Sequence, residues 1–99
     1  MPSHVVEIAE ITVTDPTAFE AGVAIARPHF LAAEGCLGLK LHRVIETRDT
    51  YRLIVKWRRI EDHMVTFRQS EAFQLWRNAV SPYFASPPVV THSQAVDLD

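Results

Sequence analysis

The sequence predicts an α+β domain with the element order β-α-β-β-α-β, in which four antiparallel strands form one sheet and both helices cover one face. Three observations support this prediction. Two segments in the middle of the chain alternate apolar and polar residues, and a short polar turn joins them. A segment with helical spacing of apolar residues lies on each side of this hairpin. Stretches rich in β-branched residues lie near both ends of the chain.

Length and composition restrict the class of protein. The 99 residues, 47% of them apolar, predict one folded domain over residues 1–99, with 97–99 as a short frayed tail. A net charge of −2 argues against nucleic acid as a partner. Residues 1–4 do not resemble a signal peptide, and no apolar run approaches the roughly 20 residues that span a bilayer. The single cysteine, Cys36, fits a soluble protein of the reducing cytoplasm.

The first strand and the first helix are separated by a helix-start signal. Residues 4–13 are rich in Val, Ile and Thr, which predicts a strand. Asp15 is suited to cap a helix that begins at Pro16, and Gly35 is expected to end that helix. The apolar face of the helix consists of Phe19, Gly22, Val23, Ala26 and Phe30.

The hairpin gives the clearest local signal. Its apolar positions are expected to face the helices and build the core: Leu37, Leu39, Leu41, Ile45, Tyr51, Leu53, Val55 and Trp57. The opposite face carries polar residues such as His42, together with the apolar Val44 and Ile54. The first strand is also apolar on both faces, which predicts that a second copy of the chain covers the open side of the sheet as a homodimer.

The second helical region is predicted as two pieces. Residues 60–68 follow helical spacing through Ile60, Met64 and Phe67, and Ser70 is suited to cap a second piece that Pro87 and Pro88 stop. Residues 89–96 then form the last strand. This element order is the ferredoxin-like arrangement.

Several segments resemble the antibiotic biosynthesis monooxygenase family. They are Leu37-Gly38-Leu39 after Glu34-Gly35, residues 51–57, Glu61-Asp62-His63, residues 67–73 and Trp76-Arg77. The resemblance covers nearly the whole chain. It implies a dimeric α+β barrel and a monooxygenase that oxidises a small quinol-like or anthrone-like aromatic substrate with O₂, using neither a metal nor a flavin. Heme-degrading relatives use an Asn on the first strand with a Trp and a His in the second helical region. The first strand here has no Asn, and Phe67 and Arg77 match the other two positions, so heme degradation is not expected.

The candidate site residues follow from the chemistry of such an oxygenase. An aromatic slot between sheet and helices is expected from Trp57, Phe67, Phe73 and Trp76, although aromatic residues at helical spacing also serve as plain core. His29 and His63 are candidate general bases, and Arg68 is a candidate for stabilising an oxyanion. For each of these three, a surface or structural role is the competing interpretation.

Other sites are not expected. The five histidines show no spacing typical of a metal site, and the chain has no phosphate-binding glycine loop or dinucleotide fingerprint, so no cofactor is predicted. Two alternatives to an enzyme stay open: a non-catalytic dimeric module that binds a small hydrophobic metabolite, and a structural dimer with a filled core. A cavity beside Trp57 and Trp76 would favour the monooxygenase and the binding module over the structural dimer.

Overall fold

The computed structural model describes residues 4–99, and residues 1–3, which bear on the signal-peptide prediction, lie outside that range. The elements are β1 (Val5–Thr12), α1 (Pro16–Leu31), β2 (Cys36–Arg43), β3 (Thr50–Trp57), a π-helix (Asp62–Phe67), α2 (Glu71–Val80), a 3₁₀ turn (Ser81–Tyr83) and β4 (Val89–Gln94). The strands form one antiparallel sheet in the order β2-β3-β1-β4. The predicted ferredoxin-like α+β fold is therefore confirmed.

The core lies between the helices and one face of the sheet. Alternate residues of β1 and β3 point into it, and Leu53, Val55 and Trp57 are almost completely buried. Phe19 and Phe30 meet them from α1. The predicted core face of β3 is thus confirmed.

Capping side chains set the helix starts as the sequence predicts. Asp15 accepts a hydrogen bond from the backbone N–H of Ala18 at 3.1 Å, and Ser70 accepts one from the N–H of Phe73 at 3.2 Å. The second helical region is broken before α2, as expected. The end of α1 is a correction, because α1 stops at Leu31 and Gly35 lies in the following turn with φ +78°.

The prediction that Leu37 and Ile45 of the hairpin face the core is wrong. The β2–β3 pairing shifts register between Cys36 and Gly38, and this bulge removes Leu37 from the inward alternation, leaving it 49% exposed. Ile45 lies beyond the end of β2 and is 94% exposed. Cys36 packs against the core instead of Leu37.

The π-helix turns a different face inward than an α-helix would. The N–H of Arg68 bonds to the carbonyl of His63, five residues earlier, and this wider turn buries Asp62, His63 and Phe67. Asp62 anchors the start of the turn, because its carboxylate accepts hydrogen bonds from the Arg59 backbone N–H and from the guanidinium groups of Arg58 and Arg59.

Candidate active site

The register of the sheet places a carboxyl group in the core. Glu7 occupies an inward position of β1, opposite Val55 of β3 on one side and His92 of β4 on the other. Only 4% of Glu7 is exposed. A carboxyl so deeply buried is unusual unless it has a structural partner or a chemical role.

His63 and Trp57 surround this carboxyl. Trp57 Nε1 donates a hydrogen bond to Glu7 Oε1 at 2.9 Å, and His63 Nε2 lies 3.3 Å from the same oxygen. The two rings stack with an interplanar angle of 17° and 5.3 Å between centroids. On its other side, His63 Nδ1 lies 2.8 Å from His92 Nε2. Glu7, His63 and His92 therefore lie in a row, joined by a 3.3 Å contact and a 2.8 Å hydrogen bond, called here the Glu7–His63–His92 chain.

Burial governs the protonation of this chain. It raises the pKa of Glu7 to about 7, against the opposing effects of the Trp57 hydrogen bond and the positive charge of Arg68. Burial also lowers the pKa of His63 to about 4, with help from His92 and Arg68. Near neutral pH the His63 imidazole is uncharged while Glu7 exchanges between acid and carboxylate, so the 3.3 Å contact joins a neutral ring and a titrating carboxyl group.

A cavity of about 80 Å³ opens beside Glu7 between the sheet and α2. Its apolar walls come from both layers and from the segment before β4: Ala9, Ile11, Leu53, Phe73, Trp76, Phe84 and Pro88. Arg77 adds a cationic group at the same cavity. Among residues 4–99, both polar contacts of Glu7 involve Oε1, which leaves Oε2 without a protein partner in a residue that lines the cavity.

The four predicted aromatic residues come together, but they divide between two environments. Trp57 and Phe67 lie in the core with ring centroids 5.3 Å apart, and Phe67 meets Phe73 edge-on at 5.7 Å. Phe30 links Phe67 to Trp76. Phe73 and Trp76 line the cavity, whereas Trp57 reaches it only through its bond to Glu7.

The predicted polar residues also separate. His63 belongs to the buried chain, and Arg68 lies exposed at the end of the π-helix, where its charge lowers the pKa values of Glu7, His63 and His92. His29 is exposed near the end of α1 and lines a different surface pocket with Phe67 and other residues. The structure does not bring His29 to the cavity beside Glu7.

Three residues of the site were missed at the sequence level: Glu7, Arg77 as a cavity residue, and His92. For Glu7 a signal was available, because it interrupts the apolar inward positions Val5, Ala9 and Ile11 of a buried strand. His92 becomes a neighbour of Glu7 only through the β1–β4 register, which the sequence does not specify.

The described part of the chain shows neither a metal-ligand cluster nor a membrane-spanning helix. Within residues 4–99, no group of three or more His, Cys, Asp or Glu side chains is arranged to hold a metal ion. In the same range, no helix combines the length and hydropathy that crossing a bilayer requires.

Comparison with known proteins agrees with the fold and indicates a family. A family model described as antibiotic biosynthesis monooxygenase matches residues 5–79. The uncharacterised protein YczJ of Bacillus subtilis (strain 168) is 31% identical over 78 residues, which cover 79% of this chain and 82% of YczJ.

Solved structures are similar over almost their whole length. One from Bordetella bronchiseptica, which bears the same family name, is 49% identical with a TM-score of 0.93 and covers 96% of this chain and 99% of its own. SnoaB, a cofactor-independent oxygenase from Streptomyces nogalater, has a TM-score of 0.82 and covers 97% and 96% respectively. Its 18% identity shows a shared fold and nothing more.

Proposed function

The chain belongs to the antibiotic biosynthesis monooxygenase family, and from that premise we propose that it is a cofactor-independent monooxygenase acting on a small quinol-like aromatic substrate with O₂. The observation that carries the proposal is Glu7, a buried carboxyl with a raised pKa and one unpartnered oxygen at the sheet–helix cavity. We assign Glu7 as the general base, a role first considered for His29 and His63.

The raised pKa of Glu7 suits a phenolic substrate. A phenol has a pKa near 10, so an ordinary glutamate, near 4.3, would face an uphill proton transfer of about 8 kcal/mol. A base with a pKa of about 7 reduces that to about 4 kcal/mol. The guanidinium group of Arg77 at the cavity, and the charge of Arg68 nearby, would stabilise the phenolate that forms.

The reaction balances without an external reductant. Glu7 Oε2 takes the phenol proton, and the electron-rich quinolate reduces O₂ by one electron. The resulting pair combines, so that a C–O bond forms at the ring carbon next to the phenolate. Glu7 then returns its proton to the distal oxygen, the O–O bond breaks, and the ring hydrogen leaves with that oxygen as water. A quinol and O₂ thereby give a hydroxyquinone and water. The apolar walls exclude bulk water from these intermediates.

The size of the cavity favours a single-ring substrate over a fused anthrone. At about 80 Å³ it is roughly half the size of the 150 Å³ engineered cavity that holds benzene. Even one ring therefore requires the walls to move. Pro88 lies outside regular helices and strands, so this part of the wall can move without breaking the sheet, whereas Phe84 is held by a β-bridge to Val13.

Oxygen uptake tests the proposal directly. The purified protein is given single-ring quinols and anthrones, with no added metal or flavin, while O₂ consumption and product are measured. We expect one O₂ consumed per hydroxyquinone formed, and a loss of about 100-fold or more in Glu7→Gln. Glu10→Gln is the matched control, because Glu10 lies on the same strand, is exposed and pairs with Arg52 away from the cavity. Equal turnover by Glu7→Gln and wild type would refute the base assignment.

A non-catalytic binding module for a small hydrophobic metabolite is the second candidate, because the same apolar cavity would hold such a ligand. It predicts no O₂ uptake with any compound of the panel, together with saturable binding of an aromatic ligand. Quenching of Trp76 fluorescence measures that binding, since Trp76 lines the cavity.

The open face of the sheet is the surface that we assign to a homodimer. Val6, Leu37 and Ile54 lie in a groove of about 340 Å³ that the cationic residues Lys40 and Lys56 border. At the β2 edge of the sheet, Arg27 and Leu31 of α1 also line this groove. A two-fold dimer would bury this apolar surface against the same surface of a second copy.

Sedimentation tests this assignment. Ile54→Lys should shift the protein from dimer to monomer, whereas Ile25→Lys should not, because Ile25 is 68% exposed on α1. A monomeric wild type would refute the homodimer assignment.

For the compartment we propose the cytoplasm, in keeping with the free thiol of Cys36.

A further inference from the structure

A second groove of about 270 Å³ lies at the β4 edge of the sheet, and His92 is one of its lining residues together with Val5, Ile60 and Ser93. The Glu7–His63–His92 chain therefore has two ends. Glu7 lines the sheet–helix cavity, and His92 lines this second groove. We propose that the chain is a proton pathway, through which Glu7 loses its proton to the β4 groove while the cavity is occupied. This inference rests on the proposed function, since Glu7 is taken as its base.

Neighbouring polar atoms of the chain lie close enough for a proton to pass between them. The distances along the chain are 3.3 Å from Glu7 Oε1 to His63 Nε2 and 2.8 Å from His63 Nδ1 to His92 Nε2. His63 uses its two nitrogens on opposite sides, so a proton arriving at one nitrogen allows another to leave from the second. Among the described residues no partner occupies His92 Nδ1, and His92 itself lines the β4 groove.

The proton positions differ between the two states of Glu7. When Glu7 is protonated on Oε1, it donates to His63 Nε2, and His63 Nδ1–H donates to His92 Nε2. On deprotonation the Oε1–H bond breaks as the His63 Nε2–H bond forms. The His63 Nδ1–H bond then breaks as His92 Nε2–H forms, and the proton on His92 Nδ1 leaves to water in the groove. Both histidines change tautomer, and no net charge remains on either ring.

Glu7 needs a route by which its proton can leave while substrate is bound. Because Glu7 is buried and titrates near neutral pH, a substantial fraction of molecules would bind substrate with the base already protonated. A substrate in the cavity would separate Glu7 from water on that side, and within residues 4–99 the polar neighbours of Oε1 are Trp57 and His63. The chain gives the proton a second exit, so the base is recovered without release of the substrate.

Other charged and titratable groups facing the chain do not interrupt it. Arg68 at the end of the π-helix lowers the pKa values of all three members, and Arg77 of α2 reaches the cavity beside Glu7. From β2, Cys36 faces Glu7, and the pKa of its thiol is raised by burial and by the Glu7 charge. The charge of Arg68 favours the carboxylate form of Glu7 and so favours release of its proton.

The pathway can be tested on the free protein by ¹⁵N NMR of the histidine rings. Between about pH 5.5 and pH 8.5, the wild type should show His63 and His92 exchanging tautomers together, with a midpoint near the pKa of Glu7. In Glu7→Gln neither ring should change tautomer over this range. Tautomers that stay fixed in the wild type, or that still change in Glu7→Gln, would overturn the inference.

A kinetic test uses His92→Gln, which keeps a polar side chain beside His63 but cannot pass a proton between two nitrogens. In weak buffer at about pH 6, where about nine in ten Glu7 carboxyl groups are protonated before substrate binds, we expect up to about a tenfold loss of turnover, restored by added imidazole entering the β4 groove. His4→Gln, an exposed histidine before β1, serves as the control. A loss that imidazole does not restore would count against the pathway. A quinol panel without turnover would refute the proposed oxygenase, but the NMR experiment would still decide the pathway.

Discussion

Replacing Glu7 with Gln should stabilise the protein at alkaline pH while lowering its turnover by about 100-fold or more. Glutamine has nearly the same shape and can still accept the Trp57 hydrogen bond, but it carries no charge. In the wild type the pKa of Glu7 rises from 4.5 to about 7 on folding. Since each unit of pKa corresponds to 1.36 kcal/mol, holding the ionised carboxylate in the core costs about 3 kcal/mol above pH 7.

The sign follows from proton binding in the two states. Between pH 4.5 and 7 the folded protein holds the Glu7 proton and the unfolded chain has lost it, so this group lowers stability as pH rises. His63 acts in the opposite direction. Its pKa falls from 6.5 to about 4, so its contribution to stability rises between those values. In the wild type, the loss of stability from Glu7 and the gain from His63 largely cancel as pH rises. In Glu7→Gln only the His63 contribution remains, so the free energy of unfolding should increase with pH.

Urea denaturation at equal protein concentration, at about pH 4.5 and about pH 8.5, measures this effect. The stability of Glu7→Gln relative to wild type should increase by about 3 kcal/mol between the two pH values. The difference between the two pH values cancels any pH-independent change in the free energy of unfolding that comes from packing the glutamine amide in place of the carboxyl group. Glu10→Gln should change by less than about 1 kcal/mol, because its carboxylate is exposed. A difference for Glu7→Gln that does not depend on pH would refute the argument that burial raises the pKa.

Two further substitutions probe the support of the site. Trp57→Phe removes the N–H donor to Glu7, so the pKa of Glu7 should rise further, which ¹³C NMR of the carboxyl group and the acid limb of the pH–rate profile would both report. Gly35→Ala should destabilise the fold by about 2 kcal/mol or more in urea, because φ is +78° and the new Cβ would lie 2.2 Å from Asp62 Oδ2. Gly38→Ala, whose Cβ would meet nothing within 4 Å, should change stability little. An unchanged Glu7 pKa in the first case, or equal stability of the two alanine variants in the second, would contradict these expectations.

The fold could be predicted because its local signals agree with one another. Strict alternation in β3 identifies the buried face correctly through Leu53, Val55 and Trp57. Helix caps at Asp15 and Ser70 locate both helix starts. Leu37 was misplaced because one bulge reverses the alternation, and a single sequence gives no sign of where a ladder slips.

The site could be predicted only in part, because it depends on features with weak sequence signals. The apolar spacing of residues 60–68 indicates an α-helix, yet the wider π-turn is what brings His63 inward beside Glu7. Ile60 and Met64, which an α-helix would bury with Phe67, are 42% and 39% exposed. Strand pairing supplies the rest of the site, since the β1–β4 register alone sets His92 opposite Glu7.

The two deeply buried carboxyl groups of this protein show why Glu7 is better explained by chemistry than by stability. Both oxygens of Asp62 are held, by Arg58, Arg59 and a backbone N–H, and although burial opposes it, these arginine bonds lower the pKa of Asp62. That carboxylate fixes the start of the π-helix. Glu7 has one partnered oxygen and a pKa raised to about 7, so its ionised form weakens the fold. An apolar side chain of similar size would pack at lower cost. A group that destabilises its own protein in the charged state, beside a cavity, fits the trade-off between stability and activity found at catalytic sites.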